Sequence, residues 1–238
     1  MKISLTRPLP LAAGHLPSGP PQQLVETTRD ETFAELLRLT AKLFAVPIAL
    51  IAVLKADSVQ VGNAYGLDVA PDPPKPGDLL GSLALLPQQG CVWENLHAAP
   101  CELLNPDFVH QLRLGFYASA TLRTREGQLL GALCLLDYQP RSFHALEAVV
   151  LAQLATLVLS LLDLRLLLLQ QPTSSQPLWR GVYSRIKALT HRLKTLAALA
   201  RWEERAGSAT SPTYQNALYE EILHLLGGLT AHSRVFQP

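Results

Sequence analysis

The sequence predicts an α+β chain: an antiparallel sheet flanked by helices, then a C-terminal antiparallel α-helical hairpin. Three observations carry this. Residues 116–136 read as two strands around a tight turn. An uninterrupted, Leu-rich helical stretch follows directly. Two amphipathic helical patterns separated by a Gly/Ser-rich break then occupy residues 178–230.

The elements follow in order. Met1 to Gln23 is rich in Pro and Gly without periodicity, so residues 1–25 are assigned to a flexible N-terminal arm. Glu26 to Leu43 places Phe33, Leu36, Leu37, Thr40 and Leu43 at helical spacing, with Thr28 or Asp30 as the cap. Ile48 to Leu54 is an apolar strand, and Val59 to Ala64 is its hairpin partner. Ala70 to Gly77 holds four prolines and must be a loop. Leu79 to Leu86 is expected to form a short helix, Cys91 to Asn95 a short strand, and Asp107 to Leu114 one or two helical turns.

Phe116 to Leu122 and Leu129 to Leu136 form the next hairpin. Glu126-Gly127 supplies the turn, because Gly tolerates φ > 0. Pro140 stops the second strand, and Ser142 is placed to cap the helix that follows to Gln170. Domain boundaries are expected at 26–170 for the sheet domain, 171–177 for a Pro-bounded linker and 178–235 for the hairpin.

Composition excludes several classes. The chain has 238 residues, 48% of them apolar, and a net charge of +1. That provides a sizeable core but no broad field toward nucleic acid. Basic residues between Arg180 and Arg205 are spread around a helix, as on a solvated face. Three cysteines, an odd number, fit a reducing cytoplasm rather than a disulfide framework. Ala148 to Leu169 is Leu-rich, but Gln153, Asp163 and Arg165 interrupt it. A charge at bilayer depth costs roughly 2.5–3.5 kcal/mol, so the stretch is read as a buried or dimerising helix and no membrane is expected.

The residues Phe116, Tyr117, Leu122, Gly127, Gly131, Leu133, Cys134, Asp137, Pro140 and Arg141 form the pattern FYxxxxLxxxxGxxxGxLCxxDxxPR. This resembles the C-terminal half of a GAF domain. The stretch from Val46-Pro47 to Gly66-Leu67 is similar to the opening of the same family, and the resemblance covers about residues 28–168. It implies one antiparallel sheet, a long segment folded over one face, and a terminal helix exiting toward an output module. Many relatives carry Ser-Phe-Cys where this chain has Gly81-Ser82-Leu83-Ala84, and Val-x-Asp where it has Trp93-Glu94-Asn95. Ligands that depend on those residues do not transfer.

Gly66 to Leu114 is the long segment that can enclose a pocket. Trp93, Asn95, Phe108, Phe116 and Tyr117 combine apolar faces with polar handles and are the candidate ligand-binding residues. The alternative is that Phe116 and Trp93 are core, Asn95 caps a turn, and there is no cavity. The GAF branch of free methionine sulfoxide reductases uses pocket-loop cysteines, and Cys91 and Cys101 lie in that region. However, His110, Gln111, Arg113 and Gly115 stand where that branch has its nucleophile. Cys134 reads as a core residue. Cys91 and Cys101 lack the adjacent His of bilin-attaching relatives, and no Cys/His spacing marks a metal. No cofactor or metal is expected.

In the tail, Val182, Ile186, Leu189, Leu193, Leu196 and Ala200 alternate by three and four, as do Leu218, Ile222, Leu225 and Leu229 on the second helix. Such a hairpin must pair with its copy or dock on the preceding domain. The run His191, Arg192, Lys194 and Leu196 resembles the HRxKNxL motif of a histidine kinase dimerisation helix, with Thr195 replacing the Asn. That resemblance makes His191 a candidate phosphoacceptor; an ordinary surface His is the other reading. No ATP-binding box is present, so a complete kinase is not expected. The expectation is a non-catalytic, cytoplasmic, homodimeric sensory protein of a bacterial two-component-type pathway. Its partners would be an unidentified small molecule and a separate kinase or response regulator. A redox enzyme on the same scaffold and a phosphorelay acceptor are the alternatives.

Overall fold

The computed structural model describes residues 21–54, 59–67, 90–98, 104–124 and 127–170, together with 177, 179–188, 191–192, 220, 223–224 and 227. Helices α1 (Pro21–Thr28) and α2 (Glu31–Leu43) lead into strands β1 (Ile48–Leu54) and β2 (Val59–Tyr65). Strand β3 (Gly90–Trp93), helix α3 (Pro106–Gln111), strands β4 (Phe116–Arg123) and β5 (Leu129–Asp137), and helix α4 (Ala145–Gln170) follow.

The five strands form one sheet in the order β2-β1-β5-β4-β3, with every neighbouring pair antiparallel. The expected pairing of residues 116–122 with 129–136 is present, running from Phe116↔Asp137 to Arg123↔Leu129. Two motif glycines have separate jobs. Gly127 has φ +84° in the hairpin turn, a conformation that other residues adopt only at a cost. A Cβ on Gly131 would come within 2.0 Å of the Ala52 carbonyl oxygen on the neighbouring strand.

Strand alternation divides the interior in two. Ala49, Ile51, Val53, Phe116, Ala118, Ala120, Leu122, Leu133 and Leu135 face one core, with Phe33, Leu36 and Leu37 of α2 and Leu151, Leu154 and Val158 of α4. Ile48, Leu50, Ala52, Tyr117, Ala132, Cys134 and Leu136 face the other, with Phe108 of α3. Each fully buried Leu or Phe is worth roughly 1.5–3 kcal/mol of transfer free energy, so both faces contribute to the fold.

The start of the chain departs from expectation. The described chain is already helical at Pro21, and Leu24 and Val25 are buried. The arm assigned to residues 1–25 therefore ends sooner. Of the two caps expected, Asp30 is the one used: its side chain accepts from the Thr32 N–H and starts α2, so the stretch read as one helix from Glu26 is divided between α1 and α2.

Helix α4 also starts later than Ser142. Glu147, in its first turn, accepts from the backbone N–H of His144 at 2.8 Å and pairs with Arg141 at 2.6 Å. Arg141 also donates to the carbonyl of Phe44 and lies over the Phe116 ring. The Pro-Arg end of the motif thereby ties α4, α2 and β4 together. Of the Leu-rich stretch of α4, 61% is buried inside the fold, although by length and composition it could cross a membrane.

The linker prediction ends within the described chain, because Pro177 is already helical, as are residues 179–188 and 191–192. Trp179 and Ile186 are buried in the core shared by α2 and α4. The expected short helix at 79–86 and most of the predicted hairpin lie outside the described residues.

Candidate functional site

The candidate site is built on the sheet face opposite α4. Cys91, Ser119 and Cys134 stand directly opposite one another across β3, β4 and β5. Cys91 Sγ and Ser119 Oγ are 3.2 Å apart, and Tyr117 OH lies 3.6 Å from Cys134 Sγ. All four residues are buried in an otherwise apolar face. Burial, together with the neighbouring Cys134 and Cys91 thiols, pushes the Tyr117 phenol well above its ordinary range. It therefore stays protonated and can donate a hydrogen bond. The row offers a phenol, a hydroxyl and two thiols: weak, neutral handles suited to orienting a small molecule rather than to binding a metal. Among the described residues no group of His, Cys, Asp and Glu could hold a metal ion.

The five predicted ligand residues do not converge. Trp93 and Tyr117 do meet, with ring centroids 6.1 Å apart, and Phe108 joins the same core from α3. Phe116, next to Tyr117 on an extended strand, points the opposite way and rests on Phe143 at 5.7 Å. Asn95 is exposed, and its side-chain oxygen accepts from the N–H groups of His97 and Ala98, capping a turn. Glu94, beside it, accepts from the Phe143 N–H at 2.9 Å and so anchors the entry to α4. Sequence reasoning passed over Ser119, although a hydroxyl in the middle of an apolar strand marked it. Cys101 lies outside the described residues. His191 is helical and exposed.

A single antiparallel sheet with α2 and α4 packed on one face and α3 on the other defines an α+β module. The match to the GAF domain family extends over residues 28–161, and the chain belongs to that family. It is 34% identical over 118 residues to a cyclic di-GMP phosphodiesterase of Pseudomonas aeruginosa; the match takes in 50% of this chain. The chain spans only 20% of that relative's length.

Solved structures of similar fold include a GAF domain/HD domain protein from Geobacter sulfurreducens. Its identity is 17% and its TM-score 0.47, covering 63% of this chain and 99% of that one. Another is a type II free methionine-R-sulfoxide reductase from Thermoplasma acidophilum. Its identity is 19% and its TM-score 0.45, covering 58% of this chain and 94% of that one.

Proposed function

We propose that this GAF-domain chain is a non-catalytic sensory module. A small ligand binds on the face that carries Trp93, Phe108 and Tyr117, and the signal leaves through α4 and the C-terminal helices. The observation that carries this reading is the buried row Cys91–Ser119–Cys134–Tyr117, which places hydrogen-bonding groups in a face that packing alone would leave apolar. The matched stretch is a fifth of the phosphodiesterase's length, in keeping with a module that serves a larger assembly. In this reading the chain is a cytoplasmic homodimer acting in a two-component-type pathway, with a separate kinase or response regulator as partner.

Native mass spectrometry of the full chain, purified from its own host, tests this. The expected spectrum is a dimer retaining a small molecule that is lost in a Tyr117→Phe, Ser119→Ala double variant. A monomer at every concentration, with no retained mass, refutes it.

A second reading has its own observation. His191 lies on a helical segment with its side chain exposed, as a phosphoacceptor reached by a separate kinase must be. Acid-labile label that disappears in His191→Gln supports it, and no label with candidate kinases removes it.

A further inference from the structure

A groove of about 850 Å³ opens at the end of the sheet, within the size range of small-molecule sites. It shares none of its described lining with the five predicted ligand residues. Its walls come from the segments after β3 and β5 and from α3 with its C-terminal turn. Leu96, Val109 and Leu112 supply apolar surface, while exposed His97, His110 and Arg113 ring it. The side chains of those three bases make no hydrogen bond or ion pair among the described residues, and no carboxylate appears in the described lining. Tyr138, 43% exposed, adds a flat aromatic surface.

Backbone hydrogen bonds connect the walls. The Leu96 N–H donates to the Gly115 carbonyl at 2.8 Å, and the Gly115 N–H to the Asp137 carbonyl at 2.9 Å. These bonds join the backbone of all three wall segments, so on binding the ordering cost falls on the exposed side chains rather than on the main chain. Helix α3 ends in a Schellman turn, in which Leu114 N–H donates to Val109 O and Arg113 N–H to His110 O. Arg113 has φ +51° at the position where Gly is the usual residue. Ala45 ends α2 in the same conformation, so the turn by itself marks nothing. At Arg113, however, that strained position delivers a guanidinium to the groove.

We propose that this groove binds a small amphipathic anion: a flat apolar body carrying one acidic group. The apolar walls and Tyr138 hold the body. The guanidinium and the two imidazoles hold the acid, which Arg can grip bidentately.

The probe is 8-anilinonaphthalene-1-sulfonate, compared with its uncharged counterpart N-phenyl-1-naphthylamine, on the full methyl-labelled chain. Saturable binding of the sulfonate is expected, with methyl shifts concentrated at Leu96, Val109 and Leu112. The neutral compound should bind about tenfold more weakly, as expected for loss of one charge-assisted contact. Arg113→Gly should weaken the sulfonate by a similar factor while keeping or raising Tm, since Gly suits the left-handed turn. Ala45→Gly should raise Tm and leave affinity unchanged.

Equal binding of both probes, no saturable binding, or an unchanged Arg113→Gly affinity overturns the proposal. Shifts centred instead on Leu50 and Leu136 also overturn it, and would place the probe on the sheet face proposed above for the ligand.

Discussion

The indole N–H of Trp179 donates to Asp30 Oδ1 at 3.0 Å, joining residues 149 positions apart in the chain. The same carboxylate caps α2 and pairs through its other oxygen with Arg165 of α4 at 3.1 Å. Arg165 in turn lies over the Trp179 ring, 4.9 Å from its centroid, and Phe33 packs at 6.2 Å from the same ring. Tyr183 adds a bond to Glu31 at 2.8 Å. One acidic side chain therefore fastens the helical segment after the domain to both flanking helices.

Asp30→Ala removes the cap and leaves Trp179 and Arg165 without this partner. Loss of an N-cap alone costs about 1 kcal/mol, and the lost indole bond adds about as much again. A drop of about 2 kcal/mol in urea unfolding is expected. Hydrogen exchange should quicken in residues 179–188 more than in β4 or β5. Uniform quickening across the sheet would contradict the fastening role.

The pH response of this junction has a definite sign. Burial by itself would raise the Asp30 pKa, but hydrogen bonds from Thr32 and Trp179 and the Arg165 charge outweigh it, and the carboxyl lies below its usual 3.8. A depressed acid stabilises the fold above the unfolded-state pKa, and that contribution fades as pH falls through the folded value. The Trp179 emission, taken as wild type minus Trp179→Phe, should stay constant from pH 7 down to about 4. It should shift to the red only below that, and a transition near pH 6 would show that another group controls the contact.

Glu147→Ala should be more damaging than its place at the start of a helix suggests. Its carboxylate is 3% exposed and holds both Arg141 and the His144 N–H. Removing one partner of a largely buried pair costs about 3 kcal/mol. Chemical denaturation of Glu147→Ala, Arg141→Ala and the double variant measures the coupling. Strictly additive losses would mean the two act independently.

Ala45→Gly should stabilise the chain. Ala45 has φ +52°, and its N–H and that of Val46 close the end of α2 on Lys42 O and Ala41 O. Relief of left-handed strain is worth about 1–2 kcal/mol, against about 0.5–1 kcal/mol of backbone entropy. A net gain near 0.5–1 kcal/mol is expected in urea unfolding, with an unchanged slope.

The strands were legible in the sequence because apolar runs of strand length ended at Pro, Gly or polar turns. Both hairpins appear where Ile48–Leu54 and Leu129–Leu136 predicted them. The break after Thr28 was less visible, since the apolar spacing hardly changes there and only the Asp30 cap distinguishes two helices from one. Ser142 was a plausible cap by residue type, but Glu147 competes by reaching back to His144. For the site, residue chemistry was read without strand direction. Period-two alternation alone separates Phe116 from Tyr117. Arg165 looked like an interruption in an apolar seam, and its partners, Asp30 and Trp179, lie too far along the chain for any local pattern to pair them. The groove at the sheet end is assembled from three such distant segments, so no single window contained it.

The opposed directions of Phe116 and Tyr117 leave the two cores of this protein separated by one peptide unit. Tyr117 touches Trp93 and Cys134 on one side, while Phe116 touches Phe143 and Arg141 at the root of α4 on the other. At this point the shortest covalent path between the two sides of the sheet is therefore a single peptide bond of β4, with the proposed ligand face at one end and the root of α4 at the other.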